Sequence, residues 1–160
     1  MVTNNAVVSV TSGKNVSLNG VITVDSGSSF TLNNNTNLLQ ADANAVNTGN
    51  IIVKRNSNPL MRLDYTLWSA PVAGQKLFAF SPLTSISPTI RFYTYTTSSN
   101  LYSSVASPQT TDFATGTGYL IRLPYNHPTT PVIWTGSFTG VPNNGTKTIP
   151  LNNEIGRAHV

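Results

Sequence analysis

A ten-residue pattern that occurs twice, fourteen positions apart, constrains the fold of this chain more than any other feature. The first copy reads Val10-Thr11-Ser12-Gly13-Lys14-Asn15-Val16-Ser17-Leu18-Asn19 and the second Val24-Asp25-Ser26-Gly27-Ser28-Ser29-Phe30-Thr31-Leu32-Asn33. Five positions are identical and a sixth exchanges Val for Phe. In each copy a Ser-Gly turn precedes an apolar/polar alternation, the pattern of a half-buried strand. A degraded third copy begins at Val46-Asn47-Thr48-Gly49 and runs into Ile51-Ile52-Val53. Short strand-turn units hide their apolar side by stacking, as in a β-solenoid. A plain meander with coincidental similarity fits two good copies as well, so both arrangements stay open. The run Asn33-Asn34-Asn35-Thr36-Asn37 suits a corner, because Asn tolerates left-handed backbone.

From Leu60 onward the segments are longer and richer in aromatics, which places a soft boundary at Asn56-Ser57-Asn58-Pro59. In Arg62-Leu63-Asp64-Tyr65-Thr66-Leu67-Trp68 the residues Leu63, Tyr65 and Leu67 share one face. The stretch 89–97, Thr-Ile-Arg-Phe-Tyr-Thr-Tyr-Thr-Thr, has the strongest β propensity of the chain. Tyr119-Leu120-Ile121-Arg122-Leu123 and 132–139 are further strands, and Asn143-Asn144-Gly145 predicts a hairpin turn into Thr146-Lys147-Thr148-Ile149. No window carries helical periodicity over three turns. The predicted class is all-β: N-terminal β-solenoid-like or meander repeats over 1–58, then an incomplete antiparallel β-sandwich over 59–153.

Residues 154–160, Glu-Ile-Gly-Arg-Ala-His-Val, break the compositional rule of everything before them. One reading frame of a common sequencing-library adapter translates as Ile-Gly-Arg-Ala-His-Val followed by a stop. The tail is therefore expected to be adapter read-through, with the natural chain continuing past Asn153.

Reactive groups are scarce. The 160 residues include five carboxylates, two histidines and no cysteine, and 9% are charged against about 25% in an average globular chain. Acid/base, metal and nucleophilic chemistry need such groups held together, so neither a catalytic nor a metal site nor a cofactor is expected. His127 lies in Pro124-Tyr125-Asn126-His127-Pro128 and reads as an exposed loop histidine. One weakly held calcium near Asp112 or the 115–118 loop is the metal site weighed, although no Asp/Asn/Gly calcium loop occurs.

The net charge of +4 comes from very few carboxylates. Its cations are scattered, with only Lys54 and Arg55 adjacent, which argues against nucleic acid. Lack of cysteine excludes disulfides. No apolar run reaches the ~20 residues of a membrane span. The start, Met1-Val2-Thr3-Asn4-Asn5, lacks the pattern of a signal peptide, so the chain reads as cytoplasmic or as an internal piece of something longer.

Several motifs, in order, carry a resemblance: Gly49-Asn50-Ile51-Ile52-Val53-Lys54-Arg55, Leu63-Asp64-Tyr65-Thr66-Leu67-Trp68-Ser69-Ala70-Pro71-Val72, Phe92-Tyr93-Thr94-Tyr95, Gly116-Thr117-Gly118-Tyr119-Leu120-Ile121-Arg122 and Phe138-Thr139-Gly140-Val141-Pro142-Asn143-Asn144-Gly145. Over residues 24–151 the chain resembles large secreted proteins of Bacteroidota that carry a C-terminal sorting domain for type IX secretion. Neither that domain nor the Gly-Asn-Pro-Tyr-Pro segment usual after the hairpin is present. The resemblance implies an extracellular or cell-surface address and no established reaction.

Aromatic residues are the remaining candidates for contact with a ligand, since they combine apolar faces with polar edges. By alternation Trp68, Tyr93 and Tyr95 are expected outward. The expected function is a non-catalytic structural or adhesion module of a large secreted or surface-attached bacterial protein, with neighbouring modules of the same chain as partners. The alternative is a carbohydrate-binding module accompanying a catalytic domain.

Overall fold

In the computed structural model, which describes residues 1–149, the chain is built almost wholly of β-strands. The one helix, α1 (Leu77–Phe80), is a single turn. The class expected from sequence is therefore the class observed. The tail 154–160 lies outside the described residues.

Five strands open the chain, four short ones, β1 (Val7–Val10), β2 (Asn15–Leu18), β3 (Ser29–Leu32) and β4 (Asn37–Gln40), and the longer β5 (Ile51–Leu60). They pair in parallel, β1 with β3, β3 with β5, and β2 with β4. Val7 lies opposite Ser29 and Asn15 opposite Asn37, a step of 22 residues that the Asn37 to Asn15 side-chain bond of 2.9 Å repeats. The two sequence copies therefore do not lie on one another. β2 belongs to the first copy and β3 to the second, and they occupy different sheets.

Backbone conformation repeats with the same step. Asn5, Gly27 and Gly49 hold positive φ at one corner, and Gly13 and Asn35 at the other. Left-handed backbone costs little for Gly and is tolerated by Asn, which explains the choice of residues at these corners. At Gly49 a Cβ would run into the Val24 carbonyl, so that corner also needs the absent side chain.

After β5 come β6 (Tyr65–Trp68), β7 (Val72–Ala73), α1, β8 (Phe92–Thr96), β9 (Leu101–Ser104), β10 (Tyr119–Arg122) and β11 (Val132–Pro142). β6-β10-β8-β9 form an antiparallel four-stranded sheet. β11 returns to pair antiparallel with β5, so one sheet runs β1-β3-β5-β11-β7. Residues 56–59, where composition shifts, lie inside β5. That strand thus belongs both to the parallel stack and to the sheet completed by the second half of the chain.

Between this sheet and the four-stranded one sits an aromatic core. Trp68 of β6 packs edge-on against Phe80 at 5.3 Å and Trp134 at 5.4 Å, and lies 6.0 Å from Phe138. Phe80 stacks on Phe138 at 4.4 Å. Gly136 lets the Phe80 ring approach β11, because a Cβ there would lie 2.6 Å from it. Burying large rings in such numbers is the main stabilising contribution available to a chain so poor in ion pairs.

The predicted C-terminal hairpin is not formed, as residues 146–149 are not a strand. Asn144 instead donates its side-chain amide to the Asp42 and Ala45 carbonyls, 2.9 Å each, and fastens the segment after β11 to the parallel stack. Gly145 has the positive φ expected of it.

Candidate functional site

Strand alternation gives the four-stranded sheet two unlike faces. Trp68, Phe92, Tyr119 and Ile121 point into the core and are buried. Their neighbours point out, and the register sets them in rows: Leu67 beside Leu120 beside Tyr93 beside Ser104, Tyr65 beside Arg122, and Tyr95 beside Tyr102. Arg91, just before β8, joins the Tyr65 row, since the Arg122 amide donates to its carbonyl at 3.1 Å.

The tyrosines meet in two pairs. Tyr65 and Tyr93 lie edge-on with centroids 5.9 Å apart, and Tyr95 and Tyr102 lie tilted at 5.1 Å. Aromatic pairs favour these geometries over face-to-face stacking. Arg91 donates to the Tyr65 hydroxyl at 3.4 Å. The hydroxyls of Tyr93 and Tyr65 hold the Arg91 guanidinium above its ordinary pKa. Leu67 is 60% exposed, Tyr95 43% and Tyr102 48%. The strands of this sheet contain no Asp or Glu.

A profile of DUF8693, a domain of unknown function, matches residues 1–159. The chain belongs to the DUF8693 family. That match spans the parallel stack and the four-stranded sheet alike and takes in residues 154–159. No curated protein and no solved structure matches this DUF8693 chain.

Of the three aromatic residues expected outward, the DUF8693 domain places Tyr93 and Tyr95 on the open face and Trp68 inside, 8% exposed. The alternation read from β6 is right but its direction is inverted. Tyr65 and Leu67 point to solvent, and Trp68 fills the space between the sheets because Phe80, Trp134 and Phe138 are there to receive it. Those three are distant in sequence, so no local pattern could have set the direction. Tyr65 was missed for the same reason, and Tyr102 and Arg91 join the face only through the pairing of β9 with β8 and of Arg122 with Arg91.

His127 is 7% exposed, contrary to the expected exposed loop. Its Nε2 lies 2.8 Å from the Leu60 carbonyl oxygen, which can only accept, so Nε2 carries the proton. Asp112 pairs with Lys76 at 2.8 Å, which engages the carboxylate weighed as a calcium ligand. Asp64 accepts from the Met61 amide at 2.7 Å, and Asp42 from the Asn44 amide at 2.9 Å. Among the described residues no three or more His, Asp or Glu groups gather as a metal site, and no helix is long and apolar enough to cross a membrane.

A shallow groove elsewhere is lined by Thr11, Ser12, Asn33, Lys54, Asn56 and Thr135, among others. Several of its polar groups are already bonded to each other: Ser12 donates to the Asn34 carbonyl at 2.6 Å and Thr135 to Asn56 at 2.9 Å. Structural bonds of this kind leave the groove less to offer a ligand than the tyrosine face has.

Proposed function

We propose that this DUF8693 chain is a non-catalytic structural and adhesive module of a large secreted or surface-attached bacterial protein. The observation that carries this is the use made of His127 and of three of the four Asp residues among those described. His127, Asp42, Asp64 and Asp112 each hold a backbone group or a lysine in place. A general base or a metal ligand needs its lone pair facing substrate or ion instead.

In this reading the N-terminal part is a short β-solenoid and the remainder an incomplete β-sandwich. Parallel pairing at a step of 22 residues between β1 and β3 and between β2 and β4, and of 21 between β3 and β5, supports the first. The aromatic layer between the five-stranded and four-stranded sheets supports the second. The module lies between neighbouring modules of the same chain, and the address, outside the cell by the type IX route, rests on the resemblance to secreted Bacteroidota proteins. A carbohydrate-binding module beside a catalytic domain is the second reading, and the outward tyrosines favour it.

Brief protease treatment of intact cells of the source bacterium tests the address. Peptides of this module should be released into the medium while a cytoplasmic marker stays intact. Recovery of the module only after lysis, in the cytoplasmic fraction, would overturn the reading.

A further inference from the structure

We infer that the open face of the four-stranded sheet binds carboxylated polysaccharide, a polymer of uronic-acid sugars, through Tyr65, Tyr93, Tyr95 and Tyr102 with Arg91 and Arg122. This deepens the adhesive reading and rests on it.

The argument is one of complementarity. Two guanidinium groups stand on a face whose strands contain no carboxylate, and the ion pair found among the described residues, Lys76 with Asp112, involves neither of them. Arg91 is held by a tyrosine hydroxyl instead. A phenol oxygen positions the guanidinium without neutralising it, so its charge remains available to an anion from solvent. Arg122 has a buried Nε with no hydrogen-bond partner among the described residues, so a second cation on the same row also lacks a full set of acceptors.

Geometry narrows the anion. A guanidinium forks onto a carboxylate through two parallel bonds. Beside it the tyrosine pairs at 5.9 Å and 5.1 Å offer apolar surface with hydroxyl rims, which suits the C–H faces and hydroxyl edges of sugar rings. Along β8, Tyr93 and Tyr95 are two residues apart, so the two pairs lie about 7 Å apart, enough to engage successive sugars. A phosphate chain is charged at every unit and is gripped by a continuous basic track. Here two cations sit at one end of an otherwise uncharged tyrosine surface, and that spacing favours a glycan over nucleic acid.

The test uses the intact chain with polygalacturonate, its carboxyl-reduced neutral counterpart and duplex DNA, read by affinity electrophoresis and calorimetry. Polygalacturonate should bind at least about tenfold more tightly than the neutral polymer, a factor in keeping with a charge-assisted contact. Arg91→Gln and a Tyr95→Ala/Tyr102→Ala double variant should each weaken it about tenfold, while Arg91→Lys, which keeps the charge and loses the fork, should be intermediate. Lys54→Gln removes an equal charge from β5, in the other sheet, where it lines the separate groove, and should leave binding within about twofold, because salt screens charges that do not touch the ligand. Melting curves of each variant separate lost binding from lost folding, and Arg91→Lys with Tyr95→Phe serves if the larger changes unfold the chain. Equal binding of both polymers, tighter binding of DNA, or equal loss in Lys54→Gln would overturn the assignment. Failure to bind polygalacturonate at all would overturn it too, and would leave the cell-surface address, which is read on cells, standing.

Discussion

Trp68 and Trp134 meet edge-on with ring centroids 5.4 Å apart, one from each of the two large sheets. Through this contact the face that carries the tyrosines is tied to the strand that closes onto β5. The core side of β6 and its open side are therefore expected to differ sharply in what they tolerate.

Trp68→Ala should cost about 3–5 kcal/mol, the usual range for removing a large buried ring. Tyr95→Ala, on the open side, loses the pairing with Tyr102 and should cost about 0.5–1.5 kcal/mol. Urea denaturation followed by circular dichroism checks both. Similar losses at the two positions would show that the inside and outside of this sheet have been misassigned.

The corners of the parallel stack make a second comparison. Asn35 holds, one step further on, the left-handed position that Gly13 holds, and a Cβ at Gly13 meets open space. Gly13→Asn should therefore be nearly neutral, within about 0.5 kcal/mol. Gly49→Ala meets both left-handed strain and the Val24 carbonyl, and should lose about 1–3 kcal/mol or more. Melting temperatures of the two variants give the ordering directly.

Asn47 is a buried clasp. Its Oδ1 accepts from the Ile22 amide at 2.9 Å and its Nδ2 donates to the Pro142 carbonyl at 3.1 Å and to Gln40 at 2.8 Å. Asn47→Ala leaves the Ile22 N–H without that acceptor, a loss of about 1–3 kcal/mol per unsatisfied buried group. Hydrogen exchange should show the Ile22 amide losing protection before the amides of the four-stranded sheet do.

Arg55 fastens another corner, donating to the Thr36 carbonyl at 2.7 Å and the Lys54 carbonyl at 2.8 Å. Burial lowers its pKa from the ordinary arginine value, a sign that the charge is partly desolvated and relies on these acceptors. Arg55→Met should cost about 1–3 kcal/mol. Arg55→Lys should recover only part of it, since a point charge cannot replace the fork. Chemical denaturation of the pair distinguishes the outcomes.

How legible this fold was in the sequence depended on how local each cause is. The corners could be read because Ser12-Gly13, Ser26-Gly27 and Asn34-Asn35 declare left-handed backbone by residue type alone. The strands 92–96, 119–122 and 132–142 could be read from β propensity and alternation. The step of 22 residues could not. Consecutive strand-turn units lie in different sheets but share the same turn chemistry, so the spacing of fourteen between them stands out in the sequence rather than the step between paired strands.

The open face was half legible for a related reason. Tyr93 and Tyr95 follow Phe92, whose burial fixes their direction. β6 carries large apolar residues on both faces, and only distant partners choose between them. His127 was misread because a loop held by prolines looks exposed until Leu60 is found against it. Asn144-Gly145 has hairpin chemistry, but the partner waiting for it is the turn at Asp42 and Ala45.

The functional reading stands on parallel pairing that steps by 22 residues between β1 and β3 and between β2 and β4, in the part of the chain that β5 and β11 join to the rest. Absence of native cysteine allows a direct measurement of that step. Ser17 and Leu39 are exposed register partners on β2 and β4. A Ser17→Cys/Leu39→Cys variant, oxidised under native conditions and mapped by mass spectrometry, should form an intramolecular disulfide in high yield, because neighbouring strands lie within disulfide reach. Ser17→Cys/Thr31→Cys, which joins equivalent positions of the two sequence copies, should not. Efficient bonding in the second variant and none in the first would contradict the parallel register of β2 and β4.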